Sequence, residues 1–188
     1  MVAKKKLITA TKLDLACGIR KKEGFFGIDK IKFDGVDLVY DLTVMPWPIA
    51  SHSIEEVHCS HYIEHLPAFN RIQFVNELYR VMKPGAKATL IAPHWCSTRA
   101  YGDMTHQWPP VAEMWFYYLS KKWRLDDGNA PHEDVKHNPE GYSCDFEATW
   151  GYSVNPAIVT RNQEYQQYAM QWLKEAAQDI IATLTKRE

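Results

Sequence analysis

The runs Leu13-Asp14-Leu15-Ala16-Cys17-Gly18, Phe25-Phe26-Gly27-Ile28-Asp29 and Val36-Asp37-Leu38-Val39-Tyr40-Asp41 decide how this chain is read. Each is apolar and stops at a small residue or a carboxylate. Short, nearly continuous apolar runs mark strands covered on both faces of a parallel sheet. Ligands of open parallel sheets bind outside the carboxyl ends of the strands. The spacing therefore brings one glycine turn and two acids, Asp29 and Asp41, to a single rim, which is a nucleoside-binding arrangement. The links between the runs, residues 19–24 and 30–35, are six residues each. A parallel crossover ordinarily takes about a dozen residues or more and contains a helix. The expected sheet thus has shortened or missing helices between its first three strands.

Outward from that stretch, residues 53–60 read as a fourth strand. Residues 69–82 read as a helix, with Ile72, Val75, Leu78, Tyr79 and Met82 on one stripe and Arg71, Asn76, Glu77 and Arg80 off it. Lys83-Pro84-Gly85 stops this helix, and residues 88–92 form a fifth strand running into Pro93-His94-Trp95. The chain to about residue 123 is aromatic and irregular, with a short helix expected over 111–119. Residues 126–141 are loop by composition. A strand over 145–154, a helix capped by Asn162 and reaching about residue 177, and a last strand over 180–185 complete the set. Residues 1–188 form one domain, with a cofactor-binding half at about 12–92 and an aromatic, substrate-facing remainder at about 93–188. Missing crossover helices would bare the sheet near Phe25 and Val36. The C-terminal helix near Trp172, itself read as core, or a second copy of the chain in a homodimer is expected to cover that face.

Composition narrows the function. The formal charge is −1, and the one basic cluster, Lys4-Lys5-Lys6, lies at the terminus, so neither nucleic acid nor a membrane surface is the expected partner. The four cysteines, Cys17, Cys59, Cys96 and Cys144, are scattered without a Cys-x-x-Cys pair. They read as free thiols of a reducing compartment. With no leader-like or membrane-length apolar run, a soluble cytoplasmic protein is expected.

Taken in order, the motifs make the chain resemble the class I S-adenosylmethionine-dependent methyltransferases, the type 11 group in particular. Leu13-Asp14-Leu15-Ala16-Cys17-Gly18 is similar to the family's Leu-Asp-Leu-Gly-Cys-Gly turn. Asp29 ends the second strand, Asp41-Leu42 follows the third, and Pro46-Trp47-Pro48 and Ser53 come next. Ser60-His61-Tyr62-Ile63-Glu64-His65-Leu66 resembles Ser-x-x-Leu-Glu-His-Leu. Residues 77–85 resemble Glu-Leu-x-Arg-Val-Leu-Lys-Pro-Gly. The resemblance covers about residues 12–106 and implies a Rossmann-like α/β fold with a mostly parallel sheet of about seven strands. It also implies S-adenosyl-L-methionine as cofactor, with S-adenosyl-L-homocysteine as product. On the matching positions, Ala16, Cys17 and Gly18 would let the backbone approach the methionine portion, and Asp14 would orient the turn and the amino group. Asp29, beside Lys30, would accept from the ribose hydroxyls, since a carboxylate can take both. Asp41 would reach the adenine amino group with Leu42 beside the ring, and Ser60 and His61 would border the sulfonium. Ala16 departs from the family's glycine.

Methyl transfer needs chiefly positioning of the acceptor and, for a hydroxyl or amine, a proton acceptor within hydrogen-bond reach. His94, His106 and His61 follow strand ends, and Asp103 could orient His106. Trp95, Tyr101 and Trp108 flank that segment and are candidates to stack on a small-molecule acceptor, whereas Trp115, Phe116 and Trp123 read equally well as core. His61-Tyr62-Ile63-Glu64-His65 also matches the His-x-x-Glu-His pattern of zinc hydrolases. That pattern needs a helix through all five residues and a distant third ligand, while the preceding residues read as strand. No metal is therefore expected. No Asn/Asp-Pro-Pro-aromatic segment follows the fourth strand, which argues against a flipped base as substrate. The expectation is a methyltransferase of a small-molecule acceptor, with a non-catalytic cofactor-binding module or partner subunit as the alternative and a zinc hydrolase as the remote one.

Overall fold

The computed structural model describes residues 7–126 and 141–188. The strands are β1 (Lys12–Leu15), β2 (Phe26–Asp29), β3 (Leu38–Val39), β4 (Ile54–Ser60), β5 (Met82–Pro93), β6 (Phe146–Val154) and β7 (Ala177–Lys186). They form one sheet in the order β3-β2-β1-β4-β5-β7-β6. β1 to β5 are parallel, and β7 runs antiparallel between β5 and β6. The sheet is the expected Rossmann-like one, and each strand overlaps an expected run, although β3 keeps only Leu38–Val39 and β5 begins at Met82 and runs through Lys83-Pro84-Gly85. Of the loop expected over 126–141, residues 127–140 lie outside the described residues.

The short links do join neighbouring parallel strands without a helix. β1 and β2 pair from Leu13 opposite Phe26 to Leu15 opposite Ile28. The chain leaves β1 through Ala16 and Gly18, both at φ +53°. Gly18 takes this left-handed backbone freely, whereas it costs an alanine about 1–2 kcal/mol. The link then covers the sheet with its own side chains. The aliphatic stem of Lys21 lies across Gly27, where a Cβ would come within 2.6 Å of Lys21 Cδ and 2.8 Å of Cys17 Sγ. Lys21 Nζ ends 2.9 Å from Asp37, and Lys22 Nζ sits 4.4 Å from the centre of the Phe25 ring. Phe25 and Val36 are buried as a result.

The C-terminal helix does not cover that face, contrary to expectation. Of the helices that follow β5, α2 (Arg99–Gly102), α3 (Glu113–Tyr117), α4 (Lys121–Leu125) and α5 (Pro156–Val159) are short, and α6 (Gln163–Trp172) is the expected C-terminal one. Asn162 caps α6 by accepting from the backbone of Tyr165. Ala169 packs against Cys96, Ala176 and Ala177, at the β5–β7 side of the sheet. Trp172, read as core, is 70% exposed. Because the link lysines seal the β2 region, the reason for placing a second copy of the chain there is removed.

The main helix, α1 (Ala68–Val81), buries Phe74, Val75, Leu78 and Val81. Arg71 and Glu77, expected off its apolar stripe, are buried too, because loops on both sides lean on the helix and use them as anchors. Glu77 accepts from the backbone of Trp47 at 2.6 Å and pairs with Arg80. Arg71 donates to the carbonyls of Leu66, Gln107, Pro109 and Glu64. The helix stops because Met82 turns extended to begin β5 and Pro84 has no N–H for a further turn. One core joins Leu13, Leu15, Val57 and Leu90 of the central strands to Leu78, Phe116 and Phe146.

Candidate active site

The carboxyl ends of β1, β2 and β4 meet at three cavities that share side chains. The first, about 510 Å³, is lined by Ala16, Asp29, Lys30, Ile31, Phe33, Tyr40, Asp41, Leu42, His61, Tyr62, His65 and Thr105. The second, about 330 Å³, holds Asp14, Ala16, Cys17, Gly18, His58, Ser60 and His61 along its wall. The third, about 660 Å³, is bounded by His61, Glu64, His65, Arg99, Asp103, Met104 and His106. Ala16 and His61 join the first two, and His61 and His65 join the first to the third.

Asp29 closes β2 and is buried. Its Oδ2 accepts from the N–H of Gly18 and its Oδ1 from the N–H of Ile31, each at 2.9 Å. Two backbone donors fix the plane of the carboxylate, and each oxygen keeps a lone pair for a ligand hydroxyl. A Cβ built on Gly18 would meet nothing within 4 Å, so the backbone there borders open space. Asp14 is buried, accepting from the N–H of Lys22 at 2.7 Å and bonding to His58 Nδ1 at 2.8 Å. Asp41 accepts from the N–H and hydroxyl of Thr43, which hold its carboxyl below the usual range. Burial, then the charges of Asp14 and Asp29, push the Cys17 thiol up to about 11, so it stays protonated and inert as a nucleophile. All ten residues expected to hold the cofactor line the first two cavities.

Several lining residues were not read from the sequence. Ile31, Phe33, Tyr40 and Tyr62 supply apolar and aromatic walls from the second link, β3 and the turn after β4. His58 was detectable as the alternate position before Ser60 on β4, since side chains two apart share a face of a strand.

The expected proton acceptors divide. His61, at φ +54°, stands at the junction of all three cavities, and the Glu64 carboxylate raises its imidazole above the ordinary value. His106 and Asp103 share the third cavity, with His106 Nε2 3.7 Å from Asp103 Oδ2, too long for a hydrogen bond. His94 is corrected by the structure. It is fully buried, with Nδ1 3.0 Å from Cys96 Sγ and Nε2 2.9 Å from Glu113 Oε1, so both ring nitrogens are engaged away from the three cavities. Burial would raise the Glu113 carboxyl, but bonds from His94 and Tyr152 outweigh it and bring it down to about 2.

The aromatic candidates are also placed elsewhere. Trp95 joins Trp150, Tyr152 and Trp172 around a separate cavity that Glu113 lines. Tyr101 and Trp108 are 49% and 76% exposed and line none of the three cavities. Phe116 is core. The segment His61 to His65 is not the helix a zinc hydrolase motif requires, since only Ile63–His65 turns, as a 3-10 helix.

No protein-family model matches the chain. No curated protein matches it in sequence. Solved structures do match in shape. A SAM-dependent methyltransferase from Archaeoglobus fulgidus superposes with a TM-score of 0.63 at 17% identity, covering 93% of this chain and 85% of that one. A chain of the Haloferax volcanii complex between the Trm112 methyltransferase activator and a methyltransferase gives 0.52 at 13% identity, covering 97% and 84%. At such identities the likeness speaks to architecture. The strand order, the reversed β7 and the rim of acids beside Gly18 together give this chain the class I S-adenosylmethionine-dependent methyltransferase fold.

Proposed function

We propose that this protein is an S-adenosylmethionine-dependent methyltransferase acting on a small-molecule acceptor. The observation that carries the reading is the Asp29 carboxylate, buried at the end of β2 and oriented by the Gly18 and Ile31 amides, beside a backbone that borders open space. Two ribose hydroxyls are the donors this carboxylate suits. The first two cavities fit the cofactor's parts: Asp29 and Lys30 for the ribose, and Asp41, Leu42, Phe33 and Tyr62 for the adenine. Asp14, Ala16, Cys17, Gly18 and Ser60 suit the amino-acid end. When bound, S-adenosylmethionine supplies an activated methyl group on a sulfonium. The protein's part is to place an acceptor in the third cavity, exclude competing groups and receive a proton. His61, common to all three cavities, is the proton acceptor in this reading. The absence of a net positive charge favours a small acceptor over nucleic acid, and the scattered thiols favour a cytoplasmic setting.

The test is transfer of a labelled methyl group from the cofactor to a panel of small hydroxyl- and amine-bearing acceptors. Label in an acceptor is the expected result. Binding of S-adenosylhomocysteine with no transfer to any acceptor would make the chain a non-catalytic cofactor-binding module instead.

A further inference from the structure

The third cavity contains an arrangement that cofactor binding leaves unused. Glu64 is 3% exposed, and neither of its carboxylate oxygens has a hydrogen-bond partner among the described residues. His61 Nδ1 lies 3.3 Å from Oε1, near enough to pair electrostatically but off the line of a hydrogen bond. A buried carboxylate without donors costs several kcal/mol unless a cation meets it. One ligand atom each from Glu64, His65 and His106 lie within 4.8 Å of one another. We propose that these three residues bind a divalent metal ion at the wall between the cofactor cavity and the acceptor cavity.

The surroundings fix both imidazoles for this task. Thr105 gives its single hydroxyl proton to Asp103 Oδ1 at 2.7 Å. Its oxygen can therefore only accept from His65 Nδ1, 3.0 Å away. Nδ1 of His65 carries the proton, and Nε2 presents its lone pair. His106 Nδ1 faces the carbonyl of Ala100 at 3.4 Å, an acceptor only, so its Nε2 is likewise free to ligate. Metal-binding histidines are oriented in this way, by a partner on the other ring nitrogen. The two rings meet edge to face, with centroids 4.7 Å apart. Tetrahedral ligands of zinc stand roughly 3.3 Å apart, so an ion needs only about an ångström of side-chain closure.

Two imidazoles and one carboxylate suit zinc, cobalt, manganese or ferrous iron better than calcium or magnesium. Three protein ligands leave coordination positions for a further molecule, and all three residues line the third cavity. An oxygen-bearing acceptor is the class such an ion recruits. A hydroxyl bound there would give up its proton to His61, which lines the same cavity, more readily because of the ion's charge. This sequence segment was set aside for metal because its five residues do not form a helix. The ligand that completes the set, His106, is distant in sequence and reaches the site only because Arg71 ties the neighbouring Gln107 and Pro109 carbonyls down onto α1.

Binding of the ion stands on these residues alone, whereas its part in methyl transfer rests on the function proposed above. The test is titration of chelator-treated protein with cobalt(II), followed by visible absorption. The expected result is one equivalent bound with nitrogen–oxygen ligand bands and no thiolate charge-transfer band. Glu64→Gln and His106→Ala should each weaken binding by at least about ten-fold. Glu64→Gln should also raise the melting temperature of the metal-free protein, because it replaces a buried carboxyl group whose two oxygens accept no hydrogen bond among the described residues. A purely structural Glu64 would lower it. No cobalt binding, or equal binding by wild type and both variants, overturns the site. Calorimetry with S-adenosylhomocysteine on the same samples separates the two readings. Cofactor binding without cobalt binding removes only the metal, and cobalt binding without cofactor binding removes only the methyltransferase.

Discussion

Ala16 shows how much of the site is decided by single backbone angles. It sits at φ +53° in the wall of the first cavity, a conformation that costs an L-residue about 1–2 kcal/mol. Ala16→Gly should therefore raise stability by about 0.5–1 kcal/mol after the extra entropy of glycine is subtracted, as read by urea denaturation. An unchanged or lower midpoint would show that the alanine methyl packs usefully. Glu113 makes stability depend on pH. Its carboxyl lies near 2 rather than 4.5, so the folded state releases its proton more readily than the unfolded chain. The stabilisation, about 2–3 kcal/mol, is complete above the unfolded value and is lost as pH falls through the folded one. The stability gap between wild type and Glu113→Gln should shrink as pH is lowered from 4.5 to 2. A constant gap would place the energy in packing instead. The sequence identified the acids and glycine at the strand ends correctly because their spacing follows from strand periodicity. It misplaced His94 because a position after a strand end does not show what packs over it. Here Glu113 and Tyr152, both remote in sequence, bury that histidine.

Among the elements, the helix-free link between β1 and β2 departs furthest from the ordinary crossover. Six residues were visibly too few for a helix, and that much was legible. What replaced the helix was not, because a lysine stem lying flat on a sheet has no sequence signature distinct from a solvated lysine. Lys21 should contribute through its carbon chain, as its ion pair with Asp37 is partly exposed and worth little. Lys21→Ala is expected to cost about 1–2 kcal/mol, and Lys21→Met to cost less than half of that, measured by chemical denaturation. Equal losses would assign the effect to the charge. Helix α1 teaches the same lesson. Its apolar stripe fixed its place, yet Arg71 looked like a solvent-facing residue until the loop at Gln107 and Pro109 folded over it. Arg71→Met removes a donor from four carbonyls, of which that of Glu64 keeps the N–H of Gln107, and should cost about 3 kcal/mol. The accompanying increase in hydrogen exchange should be concentrated at residues 103–110. Destabilisation spread evenly over the sheet would contradict this anchoring role.

At the scale of the whole molecule, the sheet order and the line of cavities along its carboxyl rim support the proposal that this chain holds S-adenosylmethionine, with Asp29 as the ribose contact. Fold does not by itself carry function, so the claim rests on the site. The first two cavities were readable because most of their lining residues lie close together along the chain. The third was not, since His61, Arg99 and His106 come from the turn after β4, from α2 and from the loop after it, which no local pattern relates. The most direct measurement is isothermal titration of S-adenosylhomocysteine into the full chain and into Asp29→Asn, with both confirmed folded by circular dichroism. The account predicts one site per chain in the wild type and affinity at least about ten-fold weaker in the variant, a loss of about 1.4 kcal/mol or more. Equal affinity in the two proteins would contradict the placement of the ribose, and no binding to the wild type would contradict the central claim itself.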